Sequence, residues 1–197
     1  MTVTERAPSS QSLIVTERVA MVATCPPLEF RAVYDADFGY VWQSLRRLGV
    51  HQRDLEDLCH DVFVVVFRNL DSFDVRRPMR PWLFGIAFRV ASDYRRSARF
   101  RREVTGSEPG ELPSPALPAD ELMVRRERQR LVARALEELG LERRAVFVMH
   151  DVDGHVMPDI AAALGVPLNT AYSRLRLARA DFAAAVRRVQ SRPRDPR

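Results

Sequence analysis

Residues 54–102 read DLEDLCHDVFVVVFRNLDSFDVRRPMRPWLFGIAFRVASDYRRSARFRR, two amphipathic helices of opposite polar character joined by a short basic loop. Leu55, Leu58, Val62, Val66 and Leu70 recur at steps of three and four, which places them on one apolar stripe of a helix. Glu56, Asp57, His60 and Asp61 are left on the other side as an acidic face. In the second helix Trp82, Leu83, Ile86, Val90 and Tyr94 make the stripe, while Arg89, Arg95, Arg96, Arg99, Arg101 and Arg102 make the remainder basic. Pro78 and Pro81 punctuate the loop, stopping the first helix and allowing the second to begin at Pro81. Solvated charge on a helical hairpin is the ordinary account of such a pattern. The separation of sign goes further: arginines interleaved with Phe73, Trp82, Phe88, Tyr94 and Phe100 suit single-stranded nucleic acid. Bases stack on such rings at about 1–3 kcal/mol each while arginines follow the phosphates.

Composition bounds the remainder. With 197 residues, 46% of them hydrophobic, the chain can hold one medium domain or two small helical ones, and disorder throughout is not expected. A net charge of +5 favours a polyanionic partner over an acidic small substrate. Every basic residue of the lysine and arginine class is arginine, which codon bias explains more cheaply than selection for bidentate contacts. Two cysteines, Cys25 and Cys59, make neither a disulfide framework nor a zinc site, and Cys59 beside the apolar stripe reads as a small buried residue. The four histidines lack cysteine pairs at zinc-binding spacing, so neither a metal nor another cofactor is expected. The apolar runs near the start are interrupted by Glu17 and Arg18, from which we expect no signal peptide, no membrane insertion and a cytoplasmic protein.

Residues 1–27 mix Ser, Thr, Pro and charge without a period and read as a loose tail. A first helical domain is expected over residues 28–99, with Phe38, Val41, Trp42, Leu45 and Leu48 on one face of a helix ending at Gly49, and Arg46 and Arg47 facing solvent. Gly106, Pro109, Gly110, Pro113, Pro115 and Pro118 make residues 100–120 a flexible linker. A second helical domain spans residues 121–190, followed by a short tail over residues 191–197. In it Leu131, Ala135, Leu136 and Leu139 outline a helix closed by Gly140, and Asp153 and Gly154 form a turn. Residues 158–164 and a longer helix opened by Pro167 flank Gly165, which is the helix-turn-helix arrangement. Ile160, Ala161, Leu164, Val166, Leu168 and Leu175 are expected to hold those two helices together. The last helix presents Asn169, Thr170, Tyr172, Ser173, Arg174, Arg176 and Arg179, an amide, hydroxyls and arginines of the kind that meet base edges and phosphates in a major groove. The fold expected is therefore all-α, two small helical domains joined by a flexible linker.

Residues 54–102 resemble region 2 of bacterial RNA polymerase sigma factors, in particular the extracytoplasmic-function (ECF) group. In that group a D-x-E-D-L-x-Q-x-x-F helix docks on the polymerase clamp, and a W-L-x-x-I-A helix with its preceding loop takes bases of the melted minus-10 element. The string DIAAALGVPLNTAYSRLRLAR, residues 159–179, is similar to region 4 of the same group, which reads the minus-35 element. Both resemblances occur in the family's order and together cover most of the chain. They imply a polymerase-docking face of Glu56, Asp57, His60 and Asp61. They imply a minus-10 surface of Arg76, Arg77, Arg80, Trp82, Arg89, Asp93 and Arg96, and a minus-35 helix using Thr170, Tyr172, Ser173, Arg174, Arg176 and Arg179. His60 replaces the usual glutamine, Phe88-Arg89 stands where arginine-asparagine is common, and Val156 occupies the usual serine N-cap, where Asp159 would compensate near the positive helix end.

The resemblance implies a non-catalytic sigma factor whose partners are core RNA polymerase, promoter DNA and, as is common in the group, an anti-sigma factor. A self-sufficient helix-turn-helix regulator would instead bind duplex DNA without polymerase. A recombinase-like enzyme would need a nucleophile in the first domain, where Tyr34, Tyr40 and Ser44 have no convincing partners in the sequence.

Overall fold

The computed structural model describes residues 29–105 and 120–191, the side chains of residues 98–105 and 120–128 excepted; the expected N-terminal tail and most of the expected linker lie outside the described residues. Seven α-helices make up the described chain: α1 (Phe30–Arg47), α2 (Leu55–Asn69), α3 (Met79–Thr105), α4 (Asp120–Glu137), α5 (Leu141–Phe147), α6 (Met157–Leu164) and α7 (Leu168–Ser191). No strand occurs among the described residues, in line with the all-α expectation.

The first three helices pack around the stripes read from sequence. Val41 and Leu45 of α1, Leu55, Val62 and Val66 of α2, and Leu83, Ile86 and Ala87 of α3 are buried. Cys59 is buried too, and burial pushes its thiol up to about 11, so it stays protonated and inert at neutral pH. α1 ends where Gly49 adopts φ +90°, a conformation that costs glycine nothing, and Leu48, Gly49 and Val50 return their N–H groups to the final carbonyls of the helix. α3 departs from expectation at both ends. It starts at Met79 rather than Pro81, because a proline within the first turn forfeits only an N–H that has no intrahelical acceptor. It also runs on to Thr105, into residues assigned to the linker, since Gly106 is the first residue after Gly85 with poor helix propensity of that kind.

In the second half α4, α5 and α6 pack on α7. α5 does not stop cleanly but passes into a π-helical turn over Val148–Val152, in which Asp153 N–H reaches the Val148 carbonyl and His155 N–H the Met149 carbonyl, each at 2.9 Å. Such widened turns redirect the side chains that follow them. Here the turn throws Asp151 towards α7 and Asp153 towards α1. α6 ends on Gly165 at φ +65°, with Val166 N–H bonded to Ala161 O and Gly165 N–H to Ala162 O, the left-handed stop that sets the helix-turn-helix angle. Val156 precedes α6 without a side-chain cap, as its apolar side chain dictates. Ile160, Ala161, Ala171 and Leu175 hold the pair together, but Leu168 does not: at the first position of α7 it is 42% exposed, pointing away from the α6 contact.

One apolar cluster runs through both halves, so the two helical units share a seam. At that seam Gly85 of α3 lies against α6. A Cβ at this position would stand 2.5 Å from the carbonyl oxygen of Ala163. Glycine inside a helix costs about 1 kcal/mol against alanine, and this close approach is what the structure gains from it.

Candidate polymerase- and promoter-binding surfaces

The acidic face of α2 is open. Glu56, Asp57, His60 and Asp61 are all exposed, with Leu55, Cys59 and Val62 buried behind them. Glu56 and Asp57 also fall in the first helical turn, where carboxylates offset the unpaired N–H groups of the helix start. That local benefit accounts for two of the charges and leaves His60 and Asp61, a turn further on, without a folding role.

The basic loop and the start of α3 form a cavity of about 220 Å³ whose walls include Phe73, Arg77, Trp82 and Arg89. Phe73 and Trp82 meet with ring centroids 4.7 Å apart, two half-buried aromatic faces beside two exposed guanidinium groups. Arg76 is exposed at the loop, where its backbone N–H is held by Asp74 at 3.1 Å, and Arg96 is exposed on α3 and lies 3.9 Å from Asp93. Arg80 is placed differently from its neighbours. Its Nε donates to Asp37 at 3.1 Å and its guanidinium lies 5.3 Å from the Tyr40 ring centroid, so it fastens the start of α3 to α1. Tyr94, expected to share in stacking, donates its hydroxyl to Asp54 at 2.6 Å and is half-buried, and the side chain of Phe100 lies outside those described.

On α7, Tyr172, Ser173 and Arg176 are exposed, and Ser173 Oγ donates to Thr170 O at 2.9 Å. Arg174 and Arg179 share that face but are engaged within the fold. Arg174 meets Glu142 at 3.0 Å, and Arg179 grips Asp151 with two nitrogens at 2.8 and 2.6 Å. The Arg179 bonds hold the Asp151 carboxyl below the usual carboxylate range.

Sequence reasoning missed five groups at the seam. Arg47, expected in solvent, donates to Asp153 at 2.8 Å, and Tyr40 donates to the other oxygen of Asp153 while lying 3.2 Å from His155 Nε2. Burial, with Asp153 adding to it, raises the Tyr40 phenol far above its usual range, which is the opposite of an activated nucleophile. Arg144 of α5 is only 2% exposed; its Nη2 donates to Glu137 O at 2.7 Å and to Leu139 O at 3.1 Å, covering carbonyls at the end of α4. Its Nε has no partner, and burial together with the nearby Arg95 pulls its pKa down to about 10.

The family description "Sigma-70 region 2" matches residues 34–101, and "Sigma-70, region 4" matches residues 129–182. The ECF RNA polymerase sigma factor SigL of Mycobacterium tuberculosis is 33% identical over 162 residues, spanning 82% of this chain and 90% of that protein. The RNA polymerase sigma factor CnrH of Cupriavidus metallidurans is 32% identical, spanning 72% and 78%. The structure of CnrH with the cytosolic domain of CnrY aligns with a TM-score of 0.55 at 29% identity, over 79% of this chain and 85% of that one. The sigma factor RpoE of Bartonella quintana, in complex with the anti-sigma factor NepR, aligns with a TM-score of 0.60 over 80% of this chain and 96% of that one; at 21% identity it speaks for the fold alone.

Proposed function

The chain belongs to the ECF group of RNA polymerase sigma factors, binding core polymerase and directing promoter recognition and DNA opening, and from that premise we propose how its surfaces divide the work. The α2 face of Glu56, Asp57, His60 and Asp61 docks on the polymerase. The observation that carries this is the pairing of an open, sign-segregated acidic face on α2 with an arginine and aromatic cavity on the next helix. Trp82, Arg76, Arg77, Arg89 and Arg96 receive the melted minus-10 strand, with Asp93 orienting Arg96 and Arg80 holding the loop in register. Thr170, Tyr172, Ser173 and Arg176 read the minus-35 element in the major groove, while Arg174 and Arg179 meet phosphates after exchanging their present carboxylate partners.

None of these roles requires bond-making by the protein, and the action is cytoplasmic, where the polymerase works. No described helix is long and apolar enough to cross a membrane. A regulatory protein bound to the chain is a further expected partner, since the aligned structure of CnrH is a complex with the cytosolic domain of CnrY and anti-sigma factors are common in the group.

Charge reversal tests the docking face. Asp57→Arg with Asp61→Arg should abolish co-purification with core polymerase while circular dichroism changes little, because exposed charges contribute roughly 0–1 kcal/mol to folding. A folded double variant that still competes for core polymerase would remove these carboxylates from the docking surface.

A further inference from the structure

The recognition helix presents side chains for which the fold has no use. Along α7 the exposed positions fall on two adjoining rows at steps of four, Leu168, Tyr172 and Arg176 on one and Asn169, Ser173 and Leu177 on the other. Ala171, Leu175 and Ala178 are buried on the opposite side, so the two rows form the outward face. One exposed leucine is ordinary on a protein surface. Leu168, however, stands one helical turn before Tyr172, and the pair makes a continuous apolar step at the head of the helix, 42% and 53% exposed. Neither side chain belongs to the apolar core or to the half-buried residues packed against it. No ring contact or side-chain hydrogen bond joins Tyr172 to the other described residues.

The position narrows what such a step can meet. The first residues of a recognition helix are the ones that come nearest the base edges in a major groove. Asn169, Ser173 and Arg176 suit the hydrogen-bond donors and acceptors displayed there. Leucine has neither a donor nor an acceptor to offer them, and no charge for a phosphate. The apolar group on those edges is the 5-methyl of thymine, which proteins read by apolar contact. Because Leu168 stands in water in the free chain, the burial of its side chain is gained on binding alone and counts wholly towards recognition.

We propose that Leu168, with the Tyr172 ring beside it, is a specificity-determining contact that selects thymine at one position of the minus-35 element through the 5-methyl group. It adds a preference that hydrogen bonding by the polar residues of α7 does not supply. The proposal rests on the assignment of α7 to the minus-35 element made above.

The complex of the full-length chain with core polymerase tests it on duplex promoter DNA. Selection from a library randomised across the minus-35 element yields the sequence that the complex prefers. Each thymine of that sequence, on either strand, is then replaced singly by deoxyuridine, which removes the methyl group and keeps every hydrogen-bonding edge. At one position the replacement should weaken binding about fourfold, the worth of burying one methyl group. At that position Leu168→Ala should bind the thymine and deoxyuridine templates alike, and Leu168→Met, which restores the apolar reach, should again tell them apart. Thermal midpoints of both variants should stay near that of the parent chain, as expected of a side chain outside the core. A preferred element without thymine, or deoxyuridine bound as well as thymine at every position, would overturn the proposal. So would a Leu168→Ala complex that still distinguishes the two bases by the parental factor, and a marked fall in its thermal midpoint would make Leu168 a folding residue instead. The reading of α7 beneath the proposal fails separately: Ser173→Ala and Arg176→Ala complexes that both select the parental sequence would show that α7 does not read the element at all.

Discussion

At the scale of single residues, the sequence was most legible where a side chain has one physical option. Val62, Val66 and Ile86 are apolar at helical spacing and are buried, and Gly165 sits at a turn position that needs positive φ. It was least legible where a side chain's partner lies far along the chain. Arg47 and Arg144 look like any other arginine in a chain rich in them, yet one is paired to Asp153 and the other is buried. Arg144→Ala should cost about 2–4 kcal/mol, because it empties a buried site and strips donors from the Glu137 and Leu139 carbonyls. Chemical denaturation of the two proteins side by side would read this, and a loss below about 0.5 kcal/mol would place Arg144 among ordinary surface arginines. His155 gives a pH prediction. Burial holds its pKa below the usual histidine value; Asp153 and Asp159 counter that and Arg80 reinforces it, with Tyr40 against the ring and Arg47 beyond Asp153. The native chain therefore binds this proton less readily than the opened chain. Its contribution is fully present above the unperturbed value near 6.5 and declines as pH falls below that towards the depressed one. Thermal midpoints at pH 7.5, 6.5 and 5.5 should fall with pH, and His155→Gln should flatten the fall; identical slopes would assign the pH dependence to other groups.

At the scale of elements, periodicity revealed the helices and missed how they end. The stripes on α2 and α3 and the helix-turn-helix of α6 and α7 followed from spacing, because burial of one face fixes both period and partner. The π-helical turn after α5 left no mark in the sequence, since the contacts that accompany it, Asp151 with Arg179 and Asp153 with Arg47, lie far along the chain. The same blindness put Arg80 in one group with Arg76 and Arg77, whereas the structure ties it to Asp37 and Tyr40. The loop can now be divided by experiment. Arg76→Ala with Arg77→Ala removes two exposed cations and should leave stability within about 0.5 kcal/mol while slowing promoter opening. Arg80→Ala should lower stability as well, since its ion pair and ring contact join the first turn of α3 to α1. Permanganate footprinting reports opening, and a premelted template should restore much of the defect in the double variant. Normal opening on duplex DNA would take Arg76 and Arg77 out of the strand-binding surface.

At the scale of the whole molecule, the sequence announced two helical units in a recognisable order but gave no sign that they share a core. Arg47 read as a solvent group, Asp153 as part of a turn, Tyr40 as a hydroxyl without a partner and His155 as a histidine outside any metal spacing, and only the folded chain brings them together across more than a hundred positions. That seam bears on how the molecule uses DNA. A self-sufficient regulator must find its site with its own surface, whereas α7 offers a single recognition helix, two of whose arginines are held by Glu142 and Asp151. One such module buries little surface and depends on phosphate contacts, so affinity falls steeply as salt displaces it. When polymerase holds the chain at a promoter, the same helix acts at a high effective concentration and modest intrinsic affinity suffices. The free chain should therefore bind duplex promoter DNA weakly, losing roughly tenfold or more in affinity between 50 and 200 mM salt, as phosphate-dominated binding does. The polymerase complex should remain bound across the same range and protect both promoter elements. Electrophoretic mobility and footprinting over a salt series measure both. Tight, site-specific binding by the chain alone, unchanged by added polymerase, would show that α7 and its neighbours suffice as a regulator and that the polymerase contacts contribute nothing to promoter choice.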